Sequence, residues 1–445
     1  MKDIRGETQP AQVPAEAMQT GDIRARWAWV EAAVWTDRML TALETGVKGG
    51  VWFSLMDKVF APRALRAAFA RVKANRGAAG ADHQTVDMFA KRLDANLERL
   101  HRELREGTYC PQPVRRTWIP KPGSTEKRPL GIPAVRDRVV QTALRAVMEP
   151  IYERDFATHS YGFRPNRGCK DALRRVDGLL KQGYTWVVDA DLKGYFDSIP
   201  HDNLMERVRE KAADGKALAL VEGFLKQGVL EGLKIWTPET GTPQGAVISP
   251  LLSNIYLDPL DHAMAANGYE MVRYADDFAL LCRSEAQALA ALEKVREWTV
   301  QVGLTLHPAK TRVVDATQRG GFDFLGYHFE RGMRWPREKS LRKFKDAIRA
   351  KTKRTNGHNL EAIIEDINRT TRGWYGYFKH SWRTTFPRLD QWIRMRLRSI
   401  IRKRMKRKGR GRGRDHYVWP NAFFKERGLF SLVDARALDS QSLER

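Results

Sequence analysis

Met271-Val272-Arg273-Tyr274-Ala275-Asp276-Asp277-Phe278-Ala279-Leu280-Leu281 is the stretch on which the reading of this chain turns. Apolar residues run up to two adjacent carboxylates and resume directly after them, the pattern of a hairpin of two buried strands with the acids at its turn. Adjacent carboxylates repel and each raises the other's pKa, so a fold that holds them together usually supplies a cation. An isolated Asp-Asp pair is more simply a solvated turn, because Asp is a common turn former. A second stretch argues against the simple case. Val187-Val188-Asp189-Ala190-Asp191-Leu192-Lys193-Gly194-Tyr195-Phe196-Asp197 opens as a buried strand, ends on acids and turns at Gly194. Three carboxylates on two neighbouring strand ends suit a pair of Mg²⁺ ions. Hard divalent ions take oxygen ligands, and two of them about 3.5 to 4 Å apart can activate a hydroxyl and stabilise a leaving pyrophosphate, which is what nucleotidyl transfer requires.

Composition agrees with a nucleic-acid enzyme. The 445 residues, 42% of them hydrophobic, suffice for two or three domains, each with a core. Lys and Arg number 78 against 53 Asp and Glu, a formal net charge of +25, and that excess points to a polyanionic partner, nucleic acid first. No apolar run reaches the roughly 18 residues of a membrane span, and the first residues lack the apolar core of a signal peptide, so a soluble intracellular protein with no membrane partner is expected. Cys110, Cys169 and Cys282 are far apart and form no CxxC pair, which argues against a disulfide framework and a structural zinc site.

Tyr274-Ala275-Asp276-Asp277, with Asp191 upstream and Gly241-Thr242-Pro243-Gln244-Gly245 between them, resembles the palm of a reverse transcriptase. The flanking blocks are similar to the version encoded by bacterial group II introns, a combined reverse transcriptase and maturase. The resemblance implies an α+β fold: right-hand polymerase fingers and palm, an α-helical thumb known in maturases as domain X, and a small basic C-terminal DNA-binding segment. Its divisions fall at residues 1–54 (flexible leader and N-terminal helix), 55–335 (fingers and palm), 336–407 (thumb) and 408–445 (basic segment). It makes Asp191, Asp276 and Asp277 catalytic, holding two Mg²⁺ ions with help from the Leu192 carbonyl, and makes Phe196 a gate whose ring excludes a 2′-hydroxyl, so that products are DNA. Asp189 and Asp197 rank lower, since a strand alternates faces and the family places its ligand at Asp191.

The nucleotide is expected to meet Lys121 and Arg128, at the two shoulders of a polar turn between extended segments, with Arg engaging phosphate oxygens bidentately and Lys as a point charge. Gln244 would face the nucleotide, Ser249 would help open the following helix, and Lys310 would stand near the leaving phosphate. For the nucleic-acid strands, Lys73 and Arg76 sit at the mouth of a Gly-rich loop that can follow a phosphate backbone. Arg164 and Arg167 belong to Ser160-Tyr161-Gly162-Phe163-Arg164-Pro165-Asn166-Arg167, where aromatic and basic residues mix as in single-strand binding.

Apolar spacing predicts helices over residues 136–152, 169–180 and 286–303, and a short amphipathic helix carrying Trp27 and Trp35 as core residues before Gly46. Residues 320–329 form a hairpin pattern matching the family's primer grip. Beyond it, basic helices are expected over 339–354, 360–378 and 388–408, with turns at Asn356-Gly357 and near Pro387. Arg372-Gly373-Trp374-Tyr375 resembles the thumb's signature and places Arg372, Trp374 and Tyr375 on RNA. In the run Arg402, Lys403, Arg404, Lys406, Arg407, Lys408, Arg410, Arg412 and Arg414, Arg alternates with Gly toward the end, a poor helix and a good polyanion contact. The aromatic tail from Tyr417 to Phe430 resembles the family's DNA-binding segment, or packs on the thumb.

The implied partners are the chain's own group II intron RNA, target DNA and dNTP substrates, in a cytoplasmic bacterial ribonucleoprotein holding the protein as monomer or dimer. The implied work is assistance to splicing and target-primed reverse transcription during retrohoming. No cysteine pairs like those of the HNH endonuclease of many relatives occur, so that domain is not expected. Two other readings compete: a domesticated or defence-associated reverse transcriptase, against which the thumb signature and tail count, and a non-catalytic RNA-binding splicing factor, against which the intact acid triad counts.

Overall fold

The computed structural model describes residues 22–120, 127–411 and 413–443. Its strands are β1 (Val114–Pro120), β2 (Lys127–Ile132), β3 (Trp186–Asp191), β4 (Val229–Glu231), β5 (Lys234–Trp236), β6 (Glu270–Tyr274), β7 (Asp277–Cys282), β8 (Arg312–Asp315), β9 (Phe322–Phe324), β10 (Tyr327–Glu330) and β11 (Met333–Pro336). They form three sheets, in the orders β2-β1-β4-β5, β6-β7-β3-β8 and β11-β10-β9. The second is antiparallel throughout and is the palm.

Each face of the palm sheet is covered, which is why its strands read as near-continuous apolar runs. Val188, Phe278 and Leu280 face one core, shared with the helices Val135–Glu153, Ser249–Ala266 and Glu285–Gln301. Val187, Ala279 and Leu281 face a second, shared with the helix Cys169–Lys181 and the strands β9 and β10, where Phe322 and Phe329 stack at 5.1 Å. The palm helices and the hairpins match the expected positions to within a few residues.

Three expectations shift. The N-terminal stretch is two short helices, Ile23–Arg26 and Asp37–Thr45, because the Thr36 side chain accepts from Met39 N and starts a new helix. Trp35, fully buried between them, donates from Nε1 to Ala146 O at 2.9 Å and so docks this stretch on the 135–153 helix. Ser249 is not the cap of its helix: Ile248 holds that position, and Ser249 Oγ donates instead to Pro243 O at 2.9 Å. The thumb helices are Glu338–Lys351, Leu360–Phe378 and Thr385–Arg404, and Pro387 lies inside the third rather than before it. A proline in a first turn loses no intrahelical hydrogen bond, so the helix starts ahead of it.

The C-terminal aromatics pack on the thumb. Trp419, Phe424 and Leu432 are buried in one core with Phe344, Ile364 and Ile393 of the three thumb helices. Among the described residues, no helix is long and apolar enough to cross a membrane.

Candidate active site and nucleic-acid face

Strand register brings the acids together. Asp191, the last residue of β3, pairs directly with Asp277, the first of β7, and Tyr274 pairs with Asp277 across a two-residue turn of Ala275 and Asp276. Directly opposed residues of an antiparallel pair share a face with Cβ atoms about 5 Å apart. Asp277 is pushed up to about 7, by burial first and then by the charges of Asp189, Asp276 and Asp191, with Arg337 opposing. Burial also raises Asp276, and Asp191 adds to it, while Arg128 and Lys310 pull the other way.

Alternation of strand faces does not separate Asp189 from Asp191, contrary to the expectation from sequence. Residues two apart on a strand share a face, so Asp189 sits on the side of Asp191, diagonal to Asp277, and pairs with Arg312 at 3.3 Å. Asp197 lies past the strand end and accepts from Gln244 Nε2 at 3.1 Å.

Two close approaches fix the acid-bearing turn. A Cβ on Gly162 would lie 2.2 Å from Ala275 N, so only glycine lets the 160–167 loop pass against the turn. Beneath it, Arg273 is fully buried: Nε and Nη2 reach the Asp261 carboxylate at 2.5 to 2.9 Å, and Nη1 donates to Asn254 Oδ1 and Ala275 O, both at 3.0 Å. Sequence reasoning missed this arginine, although a charged residue inside the apolar run of β6 was its signal. A charge survives full burial only when paired and hydrogen-bonded, as here.

The described residues expected around a nucleotide collect at the same end of the palm. Phe196 is half-buried, with its ring 5.5 Å from Tyr195 and 6.3 Å from Phe163. The Gln244 carbonyl accepts from Gly131 N at 2.7 Å, tying the β1–β2 hairpin to the 241–245 turn, and Gly245, at φ +104°, has no room for a Cβ, which would meet Gly131 O at 2.7 Å. Arg128 is exposed on β2 and its charge reaches Asp276. Lys121 falls outside the described residues. Lys310 Nζ binds Asp191 Oδ2 at 2.6 Å.

The donors suit a divalent ion. Among the described residues, no three His, Cys, Asp or Glu side chains are gathered closely enough to hold a metal as they stand. Asp191 is engaged with the Lys310 ammonium, whereas Asp276 and Asp277 are both raised, by burial first and then by neighbouring carboxylates, which a divalent cation would offset. The bridge between Leu192 and Leu306 is closed by Lys193 N donating to Thr305 O and His307 N donating to Asp191 O, and so leaves the Leu192 carbonyl out of it.

Residues 119–329 match the family described as reverse transcriptase (RNA-dependent DNA polymerase), and residues 341–418 match the group II intron maturase-specific domain. The chain is 36% identical over 293 residues to protein YkfC of Escherichia coli strain K12, across 57% of this chain and 76% of YkfC. It is 41% identical over 196 residues to the group II intron-encoded protein LtrA of Lactococcus lactis subsp. cremoris, across 44% of this chain and 32% of LtrA. This chain belongs to the group II intron reverse transcriptase and maturase family. The match spans about a third of the length of LtrA. Its fold is that of the right-hand polymerases, with the maturase-specific domain on the thumb.

In this family member the nucleic-acid residues expected from sequence divide into two groups. Lys73, Arg76, Arg372, Lys403, Arg404, Lys406, Arg407, Lys408, Arg410 and Arg414 are exposed. Arg412 falls outside the described residues. Arg164 is a correction: its side chain is 2% accessible, ion-paired to Glu153 at 2.8 Å and bonded to the carbonyls of Ala157 and Ser160. Its guanidinium closes the loop below the acid-bearing turn and has no face left for a phosphate. Arg167 is partly used in the same way, by Thr158 O. Tyr375 is buried and donates to Asp439 Oδ2 at 3.1 Å, a second correction, since helix periodicity turns it into the thumb core. Arg402 is half-withdrawn toward Asp415, at 2.8 Å.

Trp374 stacks on Phe344 at 4.6 Å and keeps an unpartnered Nε1. It lines a cleft of about 640 Å³ between palm and thumb, together with Asp277, Arg337 and Lys343. Arg337 and Lys343 escaped sequence reasoning; Arg337 is the residue that caps the first thumb helix and Lys343 lies within it.

Proposed function

We propose that this protein is an RNA-directed DNA polymerase that binds its own group II intron RNA, assists its splicing and copies it into DNA primed at the target site. The observation that carries the reading is the register that sets Asp191 opposite Asp277 with Asp276 at the turn, three carboxylates gathered at one end of the palm. Two Mg²⁺ ions held by these acids and the Leu192 carbonyl would supply Lewis acidity to the primer hydroxyl and to the leaving pyrophosphate.

The chain's own groups then have defined work. Arg128 and Lys121 hold the triphosphate, Gln244 faces the sugar, and the Phe196 ring leaves no room for a 2′-hydroxyl. Lys310 gives up Asp191 and moves to the phosphate being released. Trp374, Arg337 and Lys343 line the path of the primer duplex, and the exposed basic run from Lys403 to Arg414 holds RNA or target DNA, in a cytoplasmic ribonucleoprotein with one or two protein copies. Fingers and palm extend to residue 335, the thumb to 407, and the basic segment beyond it leans on the thumb core.

Asp276→Asn tests the division of labour. It should abolish primer extension on an RNA template while splicing of the cognate intron stays nearly intact. Equal loss of both activities would show that the palm is not separable from RNA folding, and the proposal would fail.

A further inference from the structure

A cavity of about 310 Å³ opens between the β2-β1-β4-β5 sheet and the turn at residues 238–244. Gln244 at its rim belongs to the turn assigned above to the nucleotide; Arg116, Trp118 and Trp236 have no role in the chemistry described above. Arg116 and Trp118 reach it from one face of β1, and Trp236 from the end of β5. The Arg116 guanidinium lies 5.9 Å from the Trp118 ring centre and 5.7 Å from that of Trp236. Trp118 is held in place by its Nε1, which donates to Glu231 Oε1 at 2.8 Å. Both indoles remain nearly half exposed, at 47% and 45%.

Charge narrows the occupant. In a chain of net charge +25, this cavity sets one cation, Arg116, against Asp197, Glu231 and Glu239. A phosphate would be repelled. A flat uncharged ring with amino donors on its edge would stack on the indoles and give its amino hydrogens to the carboxylates. That is the chemistry of a nucleobase. Gln244, which donates to Asp197 Oδ2 at 3.1 Å, joins the cavity to the turn assigned above to the incoming nucleotide.

We propose that this fingers cavity binds one unpaired base of the nucleic-acid strand being copied, with bases bearing amino donors preferred over uracil. The idea rests on the polymerase reading for the nearness of such a strand. The test uses the full chain and a primer–template with an unpaired template extension, in which the fluorescent purine 2-aminopurine replaces each unpaired position in turn. Stacking should quench the probe at one position in the wild type, Trp236→Ala should remove that quenching, and Trp236→Phe should restore it. Trp236→Ala should also weaken binding about tenfold when the extension is present and leave a fully paired duplex unaffected.

Quenching at no position overturns the pocket, and the class its charge would then admit is a basic peptide. Equal weakening on paired and extended substrates overturns it too, since the indole would then serve the fold. Primer extension by the wild type, measured alongside, separates the two readings: extension without quenching sinks the cavity alone, whereas absent extension sinks the polymerase reading.

Discussion

The two faces of the β6–β7 hairpin handle charge in opposite ways. On one, Arg273 stands opposite Phe278 and is fully buried, with Asp261, Asn254 and the Ala275 carbonyl occupying its guanidinium. On the other, Asp277 stands opposite Asp191 with Asp189 diagonal to it; Lys310 and Arg312 pair with those two, and Asp277, opposed by Arg337, is pushed up to about 7, by burial first and then by the neighbouring carboxylates. A saturated charge holds a fold, and a raised carboxylate among other carboxylates in a cleft is a candidate site for a cation. The same distinction sorts the arginines: Arg164 is spent on Glu153 and two carbonyls, whereas Lys403 and Arg407 face solvent.

Removing charge from the carboxylate face should cost activity and gain stability. Asp277→Asn is expected to lower primer extension by at least about a thousandfold, the scale of losing metal-borne charge stabilisation. Its effect on folding has the other sign. Because the native pKa lies above the ordinary carboxylate value, the wild type without divalent ions loses stability as pH rises from about 4 through about 7. Urea unfolding in chelator at pH 8 should therefore find Asp277→Asn the more stable protein. A destabilised variant would mean that the carboxylate is satisfied after all.

On the saturated face the same operation should be ruinous. Arg273→Met leaves Asp261 buried and unpaired, at a cost of about 3 to 5 kcal/mol, read as a drop in the urea midpoint. Should the variant unfold like the wild type, the contrast between the two faces is gone.

The sequence made one of these faces legible and hid the other. Asp276 and Asp277 interrupt an apolar run, and such an interruption needs a chemical cause, so the hairpin and its acidic turn were readable from the pattern, whereas the choice of Asp191 as third acid came from the family resemblance. Arg273 interrupts the same run one residue before Tyr274, but its partners lie 12 and 19 residues away on a helix, and nothing local announces them. Arg164 misled for the same reason: composition suggested a phosphate, and only the fold brings Glu153 to it. The role of Asp189 was available in principle, since strand period places it beside Asp191. The thumb helices were legible from their basic amphipathic pattern, whereas the inward turn of Tyr375 needed the packed C-terminal helix that carries Asp439.

Asp137 is the intermediate case and gives a smaller effect. It is fully buried and accepts from Tyr109 Oη at 2.6 Å, Gln112 N at 3.0 Å and Gln227 Nε2 at 3.1 Å, yet burial still pushes it up to about 6. Native protein therefore holds a proton that the unfolded chain releases, and stability should fall between about pH 4 and 6 by about 2 to 3 kcal/mol, then level off. Asp137→Asn should flatten that part of the profile. An unchanged profile would place Asp137 with the saturated charges.

The exposed cations give the smallest change and the finest test. A lysine neutralising one phosphate releases about one counterion, so Lys403→Ala should reduce the slope of log affinity against log salt by about 0.7 to 0.9 and leave unfolding untouched. Arg164→Ala should do the reverse, because its guanidinium closes a loop and reaches no strand: unfolding should move and the slope should not. The two variants carry the same change in net charge, so any protein-wide electrostatic effect would lower both slopes alike. Only a difference between them assigns binding to the cations that the fold leaves unpaired.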